Sequence, residues 1–156
     1  MTPAHHDGPP LARLFAIAYR SLVDGLHERL RSRGWTDVRP AFGFVLLAAR
    51  SGPTTSTALA TNMGTTKQAA SKLVDTMEDA GYVRRAVSPD DARSRPVVLT
   101  PRGKRLLAAV EEIYVELERE WELVIGAARV RELRRDLVRV LATGDDGELP
   151  PVRPTW

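Results

Sequence analysis

The spacing of apolar residues along this chain switches from helical to strand-like once and back again, and those two switches divide it. Leu11, Phe15, Ala18, Leu22, Leu26 and Leu30 recur at intervals of four and three, which places them on one stripe of a helix over residues 10–33, with Gly34 as its stop. From Pro40 a second helix carries Phe42, Phe44, Val45, Leu46 and Leu47 and is apolar nearly all round until Ser51-Gly52-Pro53. Such a helix belongs in a core. Thr54–Thr57 then offers several N-caps for a short helix bearing Leu59, Ala60 and Met63, and after a turn at Asn62-Met63-Gly64 either Thr65 or Thr66 caps the next one. In that fourth helix Ala70, Leu73, Val74, Met77 and Ala80 share a face, Gln68, Ser71, Lys72 and Asp75 project from the other, and Gly81 ends it.

Beyond Gly81 the period is that of strands, Tyr82–Val87 and Pro96–Leu99, separated by the polar run 88–95, so a hairpin with a charged tip is predicted. Thr100-Pro101 starts a helix again, although Gly103 stands where a capping box would place a glutamate. Leu106, Val110, Ile113, Leu117, Trp121, Val124 and Ala128 follow at alternating four and three, like a coiled-coil seam that needs a partner helix. Gly126 kinks or breaks this helix, and Val130, Leu133, Leu137, Val140 and Leu141 define a last one ending near Gly144. Helix, helix, short helix, turn, helix, hairpin and long helix together outline a mainly α winged helix-turn-helix.

Composition narrows the function. With 156 residues, 43% of them hydrophobic and 28% charged, the chain has the makings of one folded domain that needs no staple. It has no cysteine, which excludes disulfides, zinc–thiolate sites, thiol nucleophiles and cysteine redox switches. His5, His6 and His27 lack ligand spacing and acidic company, so no metal site is expected. No Ser/His/Asp grouping or Gly-rich phosphate loop signals catalysis, and nothing calls for a cofactor. No window approaches the roughly 18 consecutive apolar residues of a membrane helix and residues 1–10 lack a signal-peptide core, so a cytoplasmic protein with no membrane partner is expected. The net charge of +3 is modest, but its distribution is informative. Between Tyr82 and Arg105 stand Arg84, Arg85, Arg93, Arg95, Arg102, Lys104 and Arg105 against Asp90 and Asp91, whereas Val110–Glu122 carries six glutamates against Arg119. Positive charge gathered beside one segment is the footprint of a polyanion such as duplex DNA.

Four motifs in order carry a family resemblance: Leu59-Ala60, the run Thr66-Lys67-Gln68-Ala69-Ala70-Ser71-Lys72-Leu73-Val74-Asp75, then Gly81-Tyr82-Val83-Arg84-Arg85, and Asp91-Ala92-Arg93 through Val97, Leu99, Thr100 and Gly103. With these the chain resembles the MarR family of bacterial transcription regulators over most of its length. The resemblance implies a homodimer, expected to act as a repressor on a pseudo-palindromic operator, in which residues 10–34 and 101–143 are dimerisation helices and 40–100 the winged helix-turn-helix lobe. Residues 1–9 would be a disordered arm and 144–156 a tail. It also implies that Thr66–Ala80 enters the major groove and that Arg93 reaches the minor groove from the wing, with Asp91 holding its guanidinium. The candidate DNA contacts are then Thr65, Thr66, Lys67, Gln68, Ser71, Lys72, Arg84, Arg85, Asp91, Arg93 and Arg95. The family often takes small aromatic or anionic effectors between its lobe and its dimerisation helices. By position Tyr19, Trp35, Arg39, Phe42 and Tyr114 are candidates for that cleft, weighed against ordinary core packing of aromatics at helical spacing. Polar residues on a helix are also the common solvated face. The competing function is a winged helix that docks a partner protein and no longer grips DNA, and the basic wing argues for DNA.

Overall fold

The computed structural model describes residues 8–142 and 147–153, so His5, His6, most of the expected arm and parts of the expected tail lie outside the described residues. Its elements are α1 (Leu11–Ser32), α2 (Phe42–Ala48), α3 (Ser56–Met63), α4 (Lys67–Asp79), β1 (Val83–Arg85), β2 (Val97–Leu99), α5 (Pro101–Ile125) and α6 (Ala127–Leu141). The order matches the expected outline of a winged helix-turn-helix.

Three threonines start the helices that matter for the lobe. Thr55 accepts a hydrogen bond from the Ala58 N–H at 3.0 Å, Thr66 from Ala69 at 3.1 Å and Thr100 from Gly103 at 3.0 Å. Thr66, not Thr65, therefore caps α4, and each cap is worth about 1 kcal/mol to its helix. Gly64 joins α3 to α4 in the left-handed region at φ 63°, and with the Thr65 N–H on the Ala60 carbonyl at 3.0 Å it turns the chain within two residues.

In the wing, Val83 pairs with Leu99, Arg84 with Val98 and Arg85 with Val97. The strands are shorter than the expected Tyr82–Val87 and Pro96–Leu99. Tyr82, past the end of α4, gives its N–H to the Met77 carbonyl at 2.9 Å to cap that helix, and at the other end Pro96 has no N–H with which to extend the ladder past the Ala86 N–H on its carbonyl. Thr54, just before α3, exchanges backbone hydrogen bonds with Val97 at 3.0 and 2.6 Å and ties the wing to the helices.

One apolar core joins the lobe to the lower half of the helical stalk. Leu26 and Leu30 of α1, Phe42, Val45 and Leu46 of α2, Leu59, Ala70, Val74 and Met77 of the helix pair, Tyr82, Val83 and Val97 of the wing, and Leu106, Ile113 and Leu117 of α5 are all buried together. Gly103 explains the missing capping box: a Cβ there would lie 2.0 Å from the Tyr82 carbonyl oxygen, so the first turn of α5 packs directly on the backbone leading into β1.

The expected coiled-coil seam is partly covered within the chain. Leu106, Ile113 and Leu117 are spent on α1 and the lobe, and Gly126, at φ 90°, breaks the helix before the seam can run on through Ala128. The apolar surface left over lies at the far end of that seam and around it, at Leu123 and Val124 of α5, on the first half of α1 (Leu11, Phe15, Ile17) and on α6 (Val140, Leu141). Among the described residues no helix is long and apolar enough to cross a membrane.

Candidate nucleic-acid interface and adjoining cleft

α4 buries Ala70, Val74 and Met77 and presents Lys67, Gln68 and Lys72 to solvent, with Ser71 half-buried between them. No acidic residue stands in its first turn. The partial positive charge of that helix end is therefore unopposed, and Thr66 and Thr65 lead into it on the same side. On the wing Arg84 points outward from β1, while Arg93 and Arg95 stand exposed at and beside the tip. Lys67, Lys72, Arg84, Arg93 and Arg95 make no ion pair among the described residues. These are the groups that a phosphate backbone would pair.

Two of the expected contacts have other work in this structure. Arg85 is only one-fifth exposed and donates to Glu78 at 2.8 Å, pairs with Asp75 at 2.6 Å and reaches the Ser71 carbonyl and hydroxyl at 3.3 Å, while its N–H bonds to Glu78 at 3.0 Å. It fastens β1 to the outer face of α4, and its guanidinium is already satisfied. Asp91 accepts a hydrogen bond from the Arg93 backbone N–H at 2.9 Å and does not hold the guanidinium. A short carboxylate reaches the amide two residues on, which shapes the wing tip and leaves the arginine head free.

Two of the expected cleft residues are placed beside Tyr82 and not in the cleft lining. Phe42 is 1% exposed and packs edge-on against Tyr82, ring centroids 5.8 Å apart, and Trp35 lies 6.2 Å from the same ring. Phe42 is a core aromatic and Trp35 a half-buried one packed against that core, in a junction that the sequence reading missed because its members are distant in sequence. Tyr82 donates its hydroxyl hydrogen to Asp37, and Arg102 donates to Asp37 at 3.3 Å and to the Tyr82 hydroxyl at 3.1 Å while its guanidinium covers the Trp35 and Tyr82 rings at 5.5 and 4.7 Å. The hydrogen bond from Tyr82, with help from Arg102, holds the Asp37 carboxyl below its ordinary value. Burial, reinforced by the same hydrogen bond to Asp37, pushes the Tyr82 phenol up to about 12. The latch ties the α1–α2 connection to the start of β1 and to the first turn of α5.

Tyr19, Arg39 and Tyr114 do share a cleft, of about 680 Å³, between α1, α2 and α5. The sequence reading missed its further lining by Val23, His27, Arg31, Val110 and Glu111. His27 and Arg31 lie one helical turn apart on α1, a spacing that does flag a shared face. Arg20 is paired with Asp24 at 3.2 Å and Glu111 with Arg50 at 3.4 Å, but Arg31 and Arg39 make no ion pair among the described residues. Burial, and then the neighbouring Arg31, lower the His27 pKa, and burial raises that of Tyr114, so both rings favour their neutral forms. The cleft is aromatic and apolar with net positive charge at its rim. Among the described residues no group of three or more His, Asp or Glu side chains is placed to hold a metal ion.

A capped, unopposed helix N-terminus backed by a second helix, beside a hairpin with unpaired arginines, defines a winged helix-turn-helix protein of the DNA-binding class. Comparisons with known proteins agree. The sequence model described as MarR family matches residues 39–94. The HTH-type transcriptional repressor Rv2887 of Mycobacterium tuberculosis is 30% identical over 101 residues, spanning 65% of this chain and 73% of the repressor, and a Mycobacterium bovis repressor matches equally. The crystal structure of Rv2887 in complex with salicylic acid superimposes with a TM-score of 0.66 at 27% identity, covering 86% of this chain and 98% of that one. Wild-type MarR from E. coli, in its apo form, gives 0.69 at 25% identity over 86% and 99%. The chain belongs to the MarR family, and it is a DNA-binding transcription regulator and not an enzyme.

Proposed function

We propose that this regulator is a homodimeric repressor that binds a pseudo-palindromic operator and is released from it by a small aromatic, anionic effector. The observation that carries the reading is the set of exposed, unpaired cations that the lobe carries on α4 (Lys67 and Lys72) and on the wing (Arg84, Arg93 and Arg95). Gln68 and Lys72, with Thr65, Thr66 and Ser71 beside them, would meet base edges and phosphates in the major groove, and Arg93 the minor groove. Arg85 acts by fixing the wing against α4, and Asp91 by shaping the tip. Residues 10–34 and 101–143 would form the dimer. Its burial would draw on the apolar surface at Leu11, Phe15, Leu123, Val124 and Val140, which no part of the described chain covers well.

For the effector, the cleft offers Tyr19 and Tyr114 as ring contacts and Arg31 and Arg39 as carboxylate partners. Rv2887, solved with salicylic acid, shows a relative of this fold holding a ligand of that chemistry. Repression as the sign of regulation is supported by the names of the mycobacterial relatives.

The test is a footprint and an affinity profile on the promoter region beside the protein's own gene. A two-fold operator with half-sites about 10 base pairs apart is expected. Gln68→Ala should weaken preference at symmetric base pairs by on the order of 1–3 kcal/mol. Sodium salicylate should release the wild type and release Arg39→Ala less well. Equal affinity for operator and scrambled duplex would overturn the reading.

A further inference from the structure

We propose that the segment 149–153 is part of the DNA-binding surface and that Arg153 supplies a backbone-phosphate contact beside the start of the recognition helix α4. This rests on the assignment of α4 as the groove-entering helix and adds to it a group from outside the lobe. Pro151 and Val152 line a small cavity of about 220 Å³ together with Phe44 and Leu47 of α2 and Asn62 and Met63 of α3. The segment thus lies as a strap across the outer side of that helix pair. It also accounts for α2, whose apolar face would otherwise be left open at Leu47, still 48% exposed.

The strap ends its described course at the helix-turn-helix joint. A Cβ placed on Gly64 would lie 3.5 Å from Arg153 Cδ and 3.8 Å from its Nε and Nη1, so the guanidinium rests against the turn two residues before Thr66, the cap of α4. These are ordinary van der Waals separations, so the arginine side chain lies in contact range of the turn without crowding it. Arg153 is exposed and makes no ion pair among the described residues.

Electrostatics gives the arrangement its direction. A cation beside a helix N-terminus is disfavoured by the helix dipole, and Lys67 adds a like charge there with no acid in the first turn. The free protein gains nothing from Arg153 in this place, whereas a polyanion drawn to the same helix end would pair with it. Pro150 and Pro151 stiffen the approach and reduce the entropy lost in holding the arginine ready.

The experiment measures affinity for a random-sequence duplex and for the operator-containing promoter fragment across a salt titration. Arg153→Ala should lose affinity several-fold on both DNAs and flatten the salt slope by about one phosphate-equivalent per subunit, and Arg153→Lys should restore the slope. Val152→Asp, which unseats the strap, should reproduce the loss, and combining it with Arg153→Ala should add little. Unchanged affinity and slope in Arg153→Ala would overturn the proposal and leave the strap as packing. Lys72→Ala measured alongside separates the two readings. If it weakens binding while Arg153→Ala does not, the proposal alone fails, and if neither matters the assignment of α4 fails and takes the proposal with it.

Discussion

The arginines that join the stalk helices to one another and the cations that stand on α4 and the wing live in different electrostatic settings. In the stalk, Arg33 at the C-terminal cap of α1 sits 2.6 Å from Glu116 and 3.7 Å from Glu112, Arg29 pairs with Glu120, and Arg134 of α6 pairs with Glu118. The glutamate run of α5 is there to receive them. In the lobe, Lys67, Lys72, Arg84, Arg93 and Arg95 face solvent with no ion pair among the described residues. Paired charges organise helix packing, and unpaired charges of one sign on one face wait for a partner. Two lobe arginines are wired like stalk arginines: Arg50, paired with Glu111 at 3.4 Å, and Arg85, held by Asp75 and Glu78. Arg84, the sequence neighbour of Arg85, is free because consecutive strand residues face opposite ways.

The comparison breaks most severely at the junction that both regions share. Gly103→Ala puts a Cβ 2.0 Å from the Tyr82 carbonyl, a backbone atom that cannot step aside without moving β1. A loss of at least about 3 kcal/mol, read by denaturant unfolding, is expected. A mild effect would mean that stalk and lobe are not rigidly joined there.

The Tyr82 latch should show itself through pH. Because the phenol is raised from 10.0 to about 12 in the fold, its contribution is fully present below pH 10 and is lost as pH rises from 10 to about 12. Across that window the wild type should lose on the order of 2 kcal/mol relative to Tyr82→Phe, followed by urea unfolding at stepped pH. Parallel curves for the two proteins would show that the hydroxyl is not held as described.

The two adjacent wing arginines sharpen the comparison further. Arg85→Ala strands Asp75 and Glu78 beside each other and should cost about 1–2 kcal/mol of stability. Arg84→Ala should change stability by less than about 0.5 kcal/mol yet flatten the salt dependence of DNA binding. The reverse pattern would exchange their roles.

Much of this was legible in the residues, for definite reasons. Periodicity, the threonine caps and Gly64 locate α1 to α4 because each is set by contacts within a few residues. Gly103 was visible as an anomaly but not as a close approach, since its neighbour Tyr82 is far along the chain. The same holds for Trp35 and Phe42: their aromatic character pointed to a cleft, and only the fold shows them turned toward Tyr82. The coiled-coil reading of α5 was correct in period and incomplete in partner, because a stripe of leucines does not say whether α1 of the same chain will cover it. The strap at Val152 and Arg153 escaped for a related reason, as nothing local marks a solvated residue that folding brings beside a site, whereas Arg31 shares a face with His27 at a spacing the residues themselves display.

The most direct measurement compares Arg93→Ala with Arg33→Ala in affinity for duplex DNA as salt is raised. If the unpaired cations of the lobe are the DNA contact and the paired cations of the stalk are structural, Arg93→Ala lowers affinity and reduces the slope by about one phosphate-equivalent per subunit. Arg33→Ala, which removes two partly exposed pairs worth no more than about 1 kcal/mol each, then leaves the slope as it was. An unchanged slope in Arg93→Ala, or an equal reduction in Arg33→Ala, would contradict the account.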